Sequence, residues 1–123
     1  MLGSRTILIV DEDGYAALDL SEAIAESNGH AAGPVRTLAE ARSLLDSTDI
    51  GGAIVDLTLA DATAVVTLLA DRLVPIVAQV SGSVPPAVTR LDGKVSVLMR
   101  PVDPRTILQC LSVEIAKLDA RFE

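Results

Sequence analysis

Four apolar runs in this chain break off at residues whose side chains can do chemistry. Asp11-Glu12-Asp13 follows RTILIV, Asp56 follows GAIV, Ser81 follows the run ending VPIVAQV, and Arg100 follows VSVLM. Taken singly, each has a plain explanation. A carboxylate after a strand is often a helix cap or loop residue, Ser81-Gly82 makes an ordinary turn, and Arg100 is a surface charge. Their joint occurrence at four run ends points further. Carboxylates brought together raise one another's pKa unless a cation sits among them, and hard oxygen ligands with room for water suit Mg²⁺. In such a pocket an aspartate can act as nucleophile toward a phosphoryl group and form an acyl phosphate. A metal and a fixed cation would neutralise the transferring oxygens, while the hydroxyl meets one of them. Asp56 is the candidate nucleophile, because it ends its run alone.

The runs that must position these residues alternate with helical stretches. Arg5–Val10 is near-continuously apolar, as expected of a central parallel strand. Asp13 then caps a helix running to about Ser27, with Ala17, Leu20, Ile24 and Ala25 on its buried face, and Asn28-Gly29 stops it. Ala31–Val35 is a short strand. Thr37-Leu38-Ala39-Glu40 has the form of a capping box, opening a helix with Leu38, Ala41, Leu44 and Leu45 inward. Gly52–Val55 is the third strand, followed by a helix over about Ala62–Arg72 that carries Val65, Val66, Leu68 and Leu69. Val74–Val80 is the fourth strand. Ser83–Gly93 holds two prolines and little periodicity, so its helix is expected to be short or irregular. After the fifth strand, Val95–Met99, Asp103-Pro104 sets a cap before a first-turn proline. The last helix runs from Arg105 to about Ala120, with Ile107, Leu108, Leu111, Ile115 and Leu118 inward. Five strands alternating with five helices predict one α/β domain over residues 1–123, doubly wound on a parallel sheet. Ligands of such sheets bind beyond the carboxyl ends of the strands, where the polar residues fall.

Composition narrows the function classes. The 123 residues form one domain's length of chain, half of them apolar, yet only Tyr15 and Phe122 are aromatic, so the core is aliphatic. Net charge is −7 with no Lys/Arg run, which argues against nucleic acid or an anionic membrane as a direct partner. Cys110 is the only cysteine, which excludes an intrachain disulfide and a thiolate metal cluster. The N-terminal apolar run meets charge too early for a signal-peptide core, and no run reaches the roughly 20 residues that span a bilayer. A cytoplasmic protein is expected.

The motifs ILIVDED, GAIVDL, VSG and MRP, followed by a terminal amphipathic helix, resemble the receiver (CheY-like) domain of bacterial response regulators. The resemblance runs from Arg5 to about Leu118. ALDLSEAI and GPVRTLAEA are similar to stand-alone receivers without an output domain, although the Pro-Phe-x-Phe-Ala-Thr-Gly-type fourth strand of that subgroup is poorly matched. The resemblance implies a flavodoxin-like sheet of order 2-1-3-4-5. It implies that Asp56 is the phosphoacceptor, loaded from a histidine kinase or phosphotransfer protein. Asp11 and Glu12, with Asp56 and the Thr58 carbonyl, would be the Mg²⁺ ligands. Ser81 would take the place of the switch hydroxyl, and Arg100 that of the phosphate-contacting lysine. A downstream protein partner is implied, and a weak homodimer is compatible with the family.

Several positions depart from the family pattern. Glu12 stands where an aspartate is usual, and Arg100 puts a planar fork in place of a compact ammonium. LTLADAT replaces a proline-and-glycine turn after Asp56. Ser81 is one residue further from Pro75 than the usual threonine, which leaves Val80 as the other occupant of the switch position. Val97 stands where many receivers carry an aromatic. These departures sustain an alternative, a phosphorylation-independent pseudo-receiver that acts as a protein-binding module. IVDEDG also resembles the Asp-x-Asp-Gly of haloacid dehalogenase-type phosphohydrolases, with Asp11 as nucleophile and Asp13 as general acid, but the chain has neither the further acidic motif nor room for a cap domain. No Gly-rich nucleotide-binding motif is present. His30 is expected in an exposed turn, and Cys110 beside the inward stripe of the last helix.

Overall fold

Every apolar run forms a strand, and every periodic stretch after it forms a helix. The computed structural model describes residues 2–91 and 93–121. The first half contains β1 (Thr6–Val10), α1 (Gly14–Glu26), β2 (His30–Val35), α2 (Leu38–Ser47) and β3 (Gly52–Asp56). The second contains α3 (Ala62–Asp71), β4 (Ile76–Val80), α4 (Pro86–Thr89), β5 (Val95–Met99) and α5 (Pro104–Arg121). The strands make one five-stranded sheet of order β2-β1-β3-β4-β5, parallel throughout. The parallel sheet is the one expected from the alternation, and its order is the flavodoxin-like one that the resemblance implies. None of the described helices is long and apolar enough to cross a membrane.

The two faces of the sheet carry separate aliphatic cores. On one, Leu8, Val10, Ala53 and Val55 pack against Ala41 of α2 and Val65, Val66 and Leu69 of α3. On the other, Ile7, Ile9, Ile54 and Val77 pack against Ala17, Leu20 and Ile24 of α1 and Ile107, Leu108 and Leu111 of α5. Alternate residues of each strand therefore serve opposite cores, as the pleat requires. Ala25 of α1 is exposed, contrary to the expected stripe, because the buried face is narrow and ends at Ile24. Tyr15 is 86% exposed, so no aromatic ring enters the described core, and Phe122 lies outside the described residues. The fourth helix is a single turn, as its prolines predict.

The edge strand β2 departs from even pairing. Its register with β1 shifts between Leu8 and Val10, where Gly33 takes φ +100° and lies so close to Ile9 that a Cβ would sit 2.6 Å from the Ile9 carbonyl oxygen. Only glycine fits there. Beyond this irregularity the Asp11 N–H bonds to the Val35 carbonyl, which fixes the start of the loop after β1.

Candidate functional site

Register and alternation bring one group of polar side chains together. Val10 lies opposite Val55, so Asp11 is level with Asp56, and Asp56 lies opposite Gln79. Val80 lies opposite Met99, which puts Arg100 one step past the end of β5. Two residues before each of Asp11, Asp56, Gln79 and Arg100 stands Ile9, Ile54, Val77 and Leu98, all of the core under α1 and α5. A period of two thus turns the four polar side chains to the same face.

Their contacts make a closed network. Asp11 is 2% exposed and Asp56 3%. The Arg100 guanidinium lies between them, Nη2 donating to Asp11 Oδ2 at 3.1 Å and Nη1 pairing with Asp56 Oδ2 at 3.4 Å. Arg100 Nε donates to Gln79 Oε1 at 3.3 Å. The remaining oxygens are held locally. Asp11 Oδ1 accepts the Asp13 N–H at 2.9 Å, and Asp56 Oδ1 accepts from the Thr58 N–H at 2.9 Å and the Thr58 hydroxyl at 2.8 Å. Burial pushes the Asp11 carboxyl above the usual carboxylate range, and the Asp56 charge adds to this. The Asp13 N–H and the Arg100 guanidinium pull the other way. Among the described residues no buried side-chain nitrogen or oxygen is left without a partner.

Of the other expected site residues, Thr58 joins the network, whereas Glu12 and Ser81 have no bond in it. Glu12 is exposed. Ser81 is exposed in the bend after β4, and the carboxylate and guanidinium bonds go to other groups. Val80 offers no substitute, since its side chain is buried in the core under α3. Thr58 contacts Asp56 as a donor, through its N–H and hydroxyl. Asp13 caps α1 through one oxygen, Oδ1, which accepts from the Tyr15 and Ala16 N–H groups. His30 is exposed, as expected, but it opens β2 opposite Thr6 and does not sit in a turn, and Cys110 is half-buried.

A divalent cation between Asp11 and Asp56 would need carboxylate oxygens that this arrangement has already committed. No group of three His, Cys, Asp or Glu side chains is placed to hold a metal among the described residues. The guanidinium stands where the Asp11 and Asp56 carboxylates would share an ion. With Arg100 in place, the Asp11 and Asp56 carboxylates of the expected set are not open to Mg²⁺ in this geometry.

Gln79 is the participant that the sequence reading passed over. Its signal was a lone amide in the run PIVAQV, at the parity of Asp56 and Arg100. Buried at 5% exposure, an amide there requires a partner.

No protein-family model and no curated protein matches the chain. Solved structures do. A response regulator receiver protein from Sinorhizobium medicae superimposes with a TM-score of 0.81 at 19% identity, over 96% of this chain and 99% of that one. The signal receiver domain of a modulated diguanylate cyclase from Desulfovibrio desulfuricans gives 0.81 at 21% identity, over 94% and 97%. A CheY-like response regulator receiver domain protein from Methanospirillum hungatei gives 0.75 at 21%, over 95% and 98%. The chain has the fold of CheY-like receiver domains.

Proposed function

We propose that this chain is a receiver of phosphorelay signal transduction, accepting a phosphoryl group on Asp56 from a phosphohistidine of a histidine kinase or phosphotransfer protein. The observation that carries this reading is the asymmetry of the Asp56 carboxylate. Oδ1 is fixed by two donors from Thr58, while Oδ2 faces the Arg100 guanidinium. A nucleophile held in this way is oriented before its partner arrives. Oδ2 attacks phosphorus, the new P–O bond forms as the P–N bond breaks, and the electron pair leaves with the imidazole nitrogen. Arg100 supplies cationic charge to the phosphoryl oxygens. The role is that of a signalling domain read by a protein partner, with one phosphoryl group gained per chain.

The test is intact-mass spectrometry after incubation with a small phosphodonor such as acetyl phosphate, with and without Mg²⁺. One phosphoryl group is expected on the wild type and none on Asp56→Asn. A wild type that gains none from either the small donor or a phosphorylated phosphotransfer protein would sink the reading.

A second reading, a phosphorylation-independent binding module, is favoured by one observation. Every carboxylate oxygen of Asp11 and Asp56 already has a partner within the chain. Under that reading Asp56→Asn leaves partner binding unchanged.

A further inference from the structure

The pocket contains its own cation. We infer that Arg100 is the resident counterion of Asp11 and Asp56 and competes directly with divalent metal, so that the resting protein excludes Mg²⁺ until the guanidinium is displaced.

Two buried carboxylates at adjacent strand ends repel each other, and some positive charge must lie between them. In this chain the charge is covalently attached. One guanidinium reaches an oxygen of each acid, at 3.1 and 3.4 Å, and its third nitrogen is anchored on Gln79. The rigid fork suits this double engagement, whereas an ammonium is a single point charge. A metal entering between the same oxygens would meet the guanidinium's charge and its atoms.

Displacement has somewhere to go. The Arg100 side chain is 28% exposed and borders an open groove of 280 Å³ whose lining includes Asp13, Asp19, Gln79 and Pro101. Two further carboxylates on the α1 side could receive the guanidinium there. The pocket thus has two cation arrangements, one satisfied from within and one requiring an ion from solution.

Titration of the unphosphorylated protein with Mg²⁺, followed by amide spectra, and with Mn²⁺, followed by paramagnetic broadening, tests the inference. The wild type is expected to show little change at Asp11, Asp56 and Thr58 at millimolar metal. Arg100→Ala should bind at least about tenfold more tightly, equivalent to about 1.4 kcal/mol of removed competition. Adding Asp56→Asn to that variant should abolish the gain. Arg100→Gln, which retains more of the side chain's packing, is the second variant should Arg100→Ala not fold. Tight binding by the wild type, or an affinity unchanged in the folded Arg100 variants, would overturn the inference. No phosphodonor is used, so the result is independent of whether Asp56 is phosphorylated.

Discussion

Asp11 shows how a buried acid can be retained at a cost. Burial raises its pKa above the ordinary 3.8, the neighbouring Asp56 charge raises it further, and the Asp13 N–H and Arg100 only partly offset this. Between 3.8 and the raised native value, the folded protein holds a proton that the unfolded chain has released. Stability therefore falls as pH rises through that window, and the ionised carboxylate is a liability at neutral pH. Asp11→Asn removes the titration. The stability of the wild type minus that of the variant, from urea midpoints, is expected to grow on acidification from neutral toward the ordinary carboxylate range. A difference that stays flat with pH would show that Asp11 ionises as freely as a surface acid. The sequence made Asp11, Asp56 and Arg100 visible because charges at the ends of apolar runs stand out. It hid the way they are satisfied. Whether Arg100 spans two acids depends on side-chain reach across three strands, and the exposure of Glu12 and Ser81 depends on loop paths that residue types do not encode.

Elements were legible where local chemistry is strong. Thr37 caps α2 by accepting the Glu40 N–H, as the capping-box spacing predicts, whereas the Glu40 carboxylate bonds the Arg36 N–H, one residue before the cap. β5 was predicted residue for residue, whereas β4 starts at Ile76 and not Val74, since Val74-Pro75 belongs to the approach after α3. What could not be read locally was the second cap on α2. Asp61, 23 residues downstream, accepts the Leu38 N–H at 2.7 Å, and Asp61 itself opens α3 without bonding to its own N–H groups. This bond ties the start of α2 to the loop that carries Thr58. Removing a side-chain cap costs about 0.5–2 kcal/mol. Asp61→Ala should lower stability by about 1 kcal/mol and hasten hydrogen exchange at the Leu38 amide. Unchanged Leu38 protection would mean that Thr37 alone closes the helix end.

At the scale of the whole molecule, the sheet both joins and separates the two cores. β3 contributes Ile54 to one face and Ala53 and Val55 to the other, so neither core can be lost while its strands stay paired, and unfolding should be a single cooperative transition. Side chains on opposite faces share no packing neighbours, and changes there should not be felt across the backbone layer. Ile24 of α1 and Val66 of α3, both 0% exposed and in different cores, make the comparison. Ile24→Val should cost about 0.5–1.5 kcal/mol. Val66→Ala removes two methyl-sized groups at about 0.8 kcal/mol each, with a cavity term added. Independent sites add to within about 0.3–0.5 kcal/mol, and the sum stays below the roughly 5–15 kcal/mol typical of a domain, so the double variant remains folded and measurable. The shift of its denaturant midpoint should equal the sum of the single shifts with the slope unchanged. A coupling well beyond that margin would show that strain crosses the sheet. The pocket at its carboxyl edge, built on Ile9, Ile54, Val77 and Leu98 of one core, would then also feel repacking in the other.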